Sequence, residues 1–211
     1  MILYVFDEDF PLPQPATTHR SGTIVDHFIV HRNDSIRDIV EMIRTHARTE
    51  RNIWLLRLCG HGYTGSIQLG KGLNRTNACQ FIGVSDYFTP NGRGIELHGC
   101  LVASARLPSA QCRQEYLNEI HNGQPISQTC EYGARPQLNF NRWTMRPRHS
   151  ASNGLGYAFM QELADAALVP VTAAYDLQYA DPEFRWEGRG TMTAQPRNRN
   201  MSCVGEAAME T

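Results

Sequence analysis

Ile53-Trp54-Leu55-Leu56-Arg57-Leu58 runs directly into Cys59-Gly60-His61-Gly62, and Gly94-Ile95-Glu96-Leu97 runs into His98-Gly99-Cys100. The second cluster is the first in reverse order. The first run is apolar on both faces apart from Arg57, the pattern of a strand covered on both sides in a parallel sheet. Each run then meets a glycine, where the backbone turns sharply and another chain comes close. In open parallel sheets, sites form beyond the carboxyl ends of the strands. Two core strands tipped with histidine and cysteine therefore predict a sheet with one reactive edge.

The segments upstream fit such a sheet. Residues 2–7 read as an opening strand and are followed by a loop with Pro11, Pro13 and Pro15. Thr23 to Val30 has the β-branched and aromatic content of a second strand. Asn33-Asp34-Ser35 offers a helix cap, and Ile36, Ile39, Val40 and Ile43 follow at helical spacing, predicting a helix to about Thr49. Strand, helix and the strand 53–59 make a βαβ unit with a right-handed crossover.

Downstream, Gly65 to Gly70 reads as a short extra strand or hairpin arm, 76–88 as a helix, and 94–99 as the next core strand. Residues 105–152 break the pattern with arginines, prolines and polar residues, and hold one helical hint from Gln114 to His121. Leu155, Phe159, Leu163 and Ala166-Ala167 then form an amphipathic helix, with Gly154 near its start. Val169 to Tyr175 is the last core strand, its Pro170 placing it at a strand start or an edge. Phe184 to Thr193 reads as a hairpin turning at Gly188 and Gly190. These elements predict one α/β domain over 1–196, with a mostly parallel central sheet, helices on both faces and a C-terminal hairpin. Residues 105–152 are an insertion, and 197–211 a disordered tail. There are no internal repeats.

The chain's 211 residues suit one substantial core, and its net charge of −1 gives no global field for nucleic acid or an anionic membrane. Nearly all its positive charge is arginine; Lys71 is the sole lysine. No stretch approaches the roughly 20 apolar residues needed to span a bilayer, and the start lacks the basic leader of a signal peptide. Cysteines 59, 79, 100, 112, 130 and 203 show neither CxxC spacing nor the density of a disulfide scaffold. A reduced, cytoplasmic protein is the expectation, with a Cys112–Cys130 pair open to it in an oxidising compartment.

A cysteine thiolate is a strong nucleophile, and a nearby imidazole both activates it and protonates a leaving amine. His61 and Cys100 are thus a candidate dyad, with the backbone N–H groups of Gly62 and Cys100 as candidates to hold an oxyanion. The mirrored clusters allow another set: Cys59, His61, His98 and Cys100 as Cys2His2 zinc ligands. One-residue spacing within each pair is unlike the usual knuckle. Taken singly, a strand-end cysteine is more often packing than chemistry, and Cys59 and His98 fit that description.

Other motifs carry less. Asp7-Glu8-Asp9 has the makings of a magnesium cluster without a partner motif, and Gly60-x-Gly62-x-x-Gly65 has dinucleotide-loop spacing without the helix it requires. Trp54, Trp143 and Trp186 read as packing, and the arginines of 105–152 as a solvated loop.

An apolar strand ending in His-Gly, then a helix, then an apolar strand ending in Cys resembles the caspase-like cysteine peptidases of clan CD. The likeness is nearer to bacterial members, the caspase-like domains of large surface proteins and the autoprocessing domains of toxins. Gly60-His61-Gly62 followed by Leu69-Gly70, and Gly99-Cys100 followed by Leu101-Val102-Ala103-Ser104, match their blocks. So do the glycine-led helix at Gly154 and the strand 169–175. The resemblance implies a caspase-like three-layer sandwich and a hydrolase that cuts protein or peptide substrates without a cofactor. Cys100 would be its nucleophile and His61 its general base and acid. It also implies substrate binding near Tyr175 and Asp176, where Asp176 would favour a basic residue before the cleaved bond. Residues 105–152 lie where caspases carry a maturation linker, so self-cleavage at Arg106, Arg113, Arg135, Arg142, Arg146 or Arg148 is expected. The basic clusters of an inositol-phosphate-activated domain are missing. A catalytically inactive binding or scaffold module of the same fold is the alternative.

Overall fold

The computed structural model describes residues 1–10, 23–50, 52–100, 102–103, 154–174 and 191–197. Strand β1 (Ile2–Asp7) lies between β2 (Val25–Val30) and β3 (Leu55–Cys59), parallel to both. A small antiparallel sheet follows, made of β4 (Gly62–Tyr63), β5 (Ser66–Ile67) and β6 (Leu73–Asn74). Strand β7 (Gly94–His98) pairs parallel with β3, and β8 (Val171–Ala174) parallel with β7. Strand β9 (Thr191–Ala194) closes the edge antiparallel to β8, giving the order β2-β1-β3-β7-β8-β9. The expected α/β sandwich with a mostly parallel sheet is observed.

Helix α1 (Ile36–Glu50) starts as its cap predicts. Ser35 and Asp38 exchange bonds, the Ser35 N–H to the Asp38 carboxylate at 2.9 Å and the Asp38 N–H to Ser35 Oγ at 3.2 Å. Ile36, Ile39, Val40, Ile43 and Ala47 are buried, the stripe that the spacing implies. The segment 76–88, expected as an ordinary helix, is a 3-10 helix, η1 (Ala78–Tyr87). Its buried residues Ala78, Phe81 and Val84 recur every third position, the period at which 3-10 side chains line up. Helix α2 (Leu155–Ala167) buries Phe159, Met160, Leu163 and Ala164.

The three described helices meet one face of the sheet. Their buried side chains share a core with Leu3, Val5, Leu56, Leu58, Ile95, Leu97, Val171 and Ala173, which alternate along the strands. The opposite face is buried as well, through Ile2, Tyr4, Phe6, Leu55 and Cys59, but among the described residues no helix packs on it. Pro170 precedes β8, and its carbonyl accepts the Ile95 N–H at 2.9 Å, so the proline stands at a strand start as expected. Of the expected C-terminal hairpin, only β9 is described. The described chain runs to Arg197, whose backbone N–H donates to Asp165 at 2.8 Å and whose guanidinium pairs with the same carboxylate. The 105–152 insertion, the hint at 114–121 and positions 198–211 lie outside the described residues.

Phe81 is wedged at the centre of the helical layer, so Phe81→Ala should lower stability by about 3–5 kcal/mol. Ile82 on the same helix is exposed, and its alanine variant should change stability by less than about 1 kcal/mol. Urea unfolding of the two variants checks the contrast; equal losses would contradict this packing.

Candidate active site

Parallel pairing puts Cys59 beside His98, and the Gly60 N–H donates across to the His98 carbonyl at 3.1 Å. One residue further, main chain lies on main chain. A Cβ at Gly62 would stand 2.3 Å from the Cys100 carbonyl oxygen and 2.5 Å from its nitrogen. A Cβ at Gly99 would stand 2.9 Å from Gly62 Cα, and one at Gly60 would be 2.0 Å from the Gln68 carbonyl oxygen. No side chain fits at any of these three positions, which is why both clusters are built on glycine.

The main chain beyond Cys100 is anchored on two sides. Gly65 donates its N–H to the Val102 carbonyl at 3.0 Å, and Ala103 donates to Ala174 at the end of β8 at 2.9 Å. Cys100 itself is half-buried, whereas His61 is exposed and sets its ring edge-on to Phe10, 6.5 Å between centroids. No hydrogen bond joins the imidazole to the thiol; the strand ends are brought together, but a formed dyad is not seen. The His61 carbonyl accepts the Gln68 N–H at 2.7 Å. By antiparallel alternation the next residue, Gly62, turns its own N–H away from β5, leaving it to point out of the ladder. Tyr175 and Asp176 lie outside the described residues.

The inner pair has another setting. Arg57 Nε donates to Glu96 Oε2 at 2.8 Å, and His98 Nε2 lies 3.1 Å from the same oxygen. The Arg57 guanidinium also bonds the Tyr4 hydroxyl, and Arg93 reaches Glu96 Oε1 at 2.9 Å. Burial raises the Glu96 carboxyl, but the His98 hydrogen bond and the Arg57 charge outweigh it and hold the group down at about 2. Burial lowers the His98 imidazole despite the carboxylate beside it. Burial also pushes the Cys59 thiol far up, so it stays protonated at neutral pH. Sequence reading missed this network. Its signal was there: charged residues at 57 and 96 in otherwise apolar strands, which the register Arg57↔Glu96 makes neighbours.

The zinc reading fails on geometry. Among the described residues no group of three or more His, Cys, Asp and Glu side chains is disposed to hold a metal ion. The acidic run at the end of β1 is structural too. Asp7 is buried and accepts the N–H groups of Asp9 and Gly70, each at 3.2 Å, while Glu8 and Asp9 bind His31 and Arg32. Among the described cysteines, Cys59 and Cys100 are not in disulfides, whereas Cys79 is disulfide-bonded. The Cys112–Cys130 pairing falls outside the described residues.

No protein-family model, curated protein or solved structure matches the chain.

The network fixes the sign of an acid response. Glu96 titrates below its ordinary value of 4.5 when folded, so its stabilisation is complete above about 4.5 and is lost as pH falls toward 2. His98, depressed from 6.5, adds a loss in the same direction as pH falls below 6.5. Urea midpoints should therefore decline from pH 7 to pH 4, and His98→Gln should flatten the upper part of the decline. Arg57→Met, which strips a buried carboxylate of its main cation, should cost roughly 3–5 kcal/mol at pH 7. Midpoints that rise on acidification would contradict the assignment.

Proposed function

We propose that the chain is a caspase-like cysteine endopeptidase acting through Cys100 and His61. His61 takes the thiol proton as the Cys100 sulfur bonds to the carbonyl carbon of a peptide. The Gly62 and Cys100 N–H groups hold the resulting oxyanion. The C–N bond then breaks and His61 delivers the proton to the leaving amine. Water attacks the thioester, passing its proton through His61 back to the departing thiolate. The single observation behind this is the glycine-to-glycine contact that sets the two strand ends side by side with no intervening side chain. The order strand–His-Gly, helix, strand–Cys, here β3, η1 and β7, supports the caspase-like assignment. Substrate binding near Tyr175 and Asp176, with a basic residue before the cut, belongs to the same proposal, as does self-processing within 105–152.

A second reading is an inactive scaffold of the same fold. The missing His61–Cys100 hydrogen bond favours it, although catalytic bonds in unliganded sites are often long. No described helix is long and apolar enough to cross a membrane. Cytoplasmic residence rests on cysteine spacing; the disulfide at Cys79 opposes it, because such bonds persist mainly in oxidising compartments.

An internally quenched peptide library compared across variants separates the two readings. Cys100→Ala should abolish cleavage and labelling by an electrophilic peptide probe. His61→Ala should lower kcat/KM by about 10²–10⁴-fold. Equal cleavage by wild type and Cys100→Ala would overturn the nucleophile, and an unlabelled, inactive wild type would establish the scaffold.

A further inference from the structure

A cleft of about 670 Å³ lies over the small sheet and is lined by Asp9, Arg32, Tyr63, Ser66, Gln68 and Lys71 among others. The pairings Tyr63↔Ser66 and Ser66↔Asn74 put those three side chains on one face, since cross-strand partners point the same way. His61 continues the series, bonded through its carbonyl to Gln68 one step along the ladder. The other face carries Ile67 and Leu73, both fully buried in the core. The solvent face of β4, β5 and β6 is therefore a polar floor that begins at His61 and ends at Lys71 and Asn74.

We infer that this cleft holds the part of a peptide that departs with the amine, and that it favours an acidic side chain there. The inference rests on the peptidase reading of His61 and Cys100. A general acid must touch the leaving nitrogen, so the residues that follow the cut bond have to pass over His61. The floor they meet is the one described, with Gln68, the cross-strand partner of His61, already lining it. Tyr63, 42% exposed, offers a rigid aromatic surface. Of the two cations at the cleft, Arg32 is held by Asp9 at 2.9 Å, while Lys71 makes no ion pair among the described residues. Asp38, which feels the Lys71 charge, is already engaged by Ser35. Lys71 is left to attract a carboxylate on the ligand.

Two measurements on the full chain test this. The first is independent of cleavage: the Cys100→Ala protein is titrated with capped hexapeptides carrying a central pair of either glutamates or lysines. The glutamate peptide should bind more tightly, and Lys71→Glu or Tyr63→Ala should each weaken it by about fivefold. Equal binding of both peptides, indifference to both substitutions, or no binding up to millimolar peptide overturns the inference. The second compares kcat/KM for an internally quenched substrate with glutamates after the cut bond and for a substrate releasing only an aminocoumarin. Lys71→Glu should reduce the first by about fivefold and leave the second unchanged, whereas an equal fall in both overturns it. Peptide binding with the predicted dependence in a chain that cleaves nothing upholds the cleft and removes the peptidase reading instead.

Discussion

Everything at the carboxyl edge of the sheet depends on one steric constraint: main chain packs on main chain where β3 and β7 end. Gly60, Gly62 and Gly99 leave no volume for a Cβ, because carbonyl oxygens, amide nitrogens and Cα atoms already occupy it. Relieving that contact would require the whole strand end to move, since the nearest opposing atoms are all main chain. The contact couples the segments that follow β3 and β7, the bond from Gly65 to Val102 joins them again, and the bond from Ala103 to Ala174 extends the coupling to β8. Precision of this kind is what a nucleophile and a base on separate strands need, because small misplacements cost large factors in rate.

Beneath the edge lies the costly part of the fold. Glu96, Arg57 and His98 are ionisable groups inside a sheet whose neighbours are apolar, and burying them carries a desolvation penalty. The arrangement offsets it by giving the carboxylate two cationic or donor partners on the adjacent strand and on its own. Adjacent strands in parallel register are the only elements that put Arg57 opposite Glu96, so the network rewards the correct pairing of β3 with β7 over a one-residue slip. The same register that satisfies the buried charge sets Gly62 onto Cys100.

Much of this was legible in the sequence, and the limits follow from which interactions are local. Helix α1 was readable because its cap and its apolar stripe are both short-range signals. Strands β3 and β7 were readable because burial on both faces leaves runs that are apolar apart from Arg57 in β3 and Glu96 and His98 in β7. The 3-10 character of η1 was not, because a three-residue period over ten positions looks like an irregular four-residue one until the packing partners are known. The subdivision of 62–74 into three short strands depends on cross-strand bonds that no local pattern announces. The pairing of Arg57 with Glu96 spans 39 positions, and only the strand order reveals it.

The mirrored clusters show how alternation separates residues that composition treats alike. Cys59 and His98 are register partners, so their side chains fall on the same buried face of the sheet. Burial suppresses charge on both: the thiol stays protonated and the imidazole neutral. His61 and Cys100 stand two positions further on, past the last β3–β7 ladder pair. There His61 is exposed and Cys100 half-buried, whereas Cys59 and His98 are both buried. A nucleophile needs access as well as proximity to a base. Reversing the order of the two clusters would place a histidine at position 100 and bury the cysteine, so the palindrome is one-directional in exposure: the outer residue of each cluster reaches solvent and the inner one is buried.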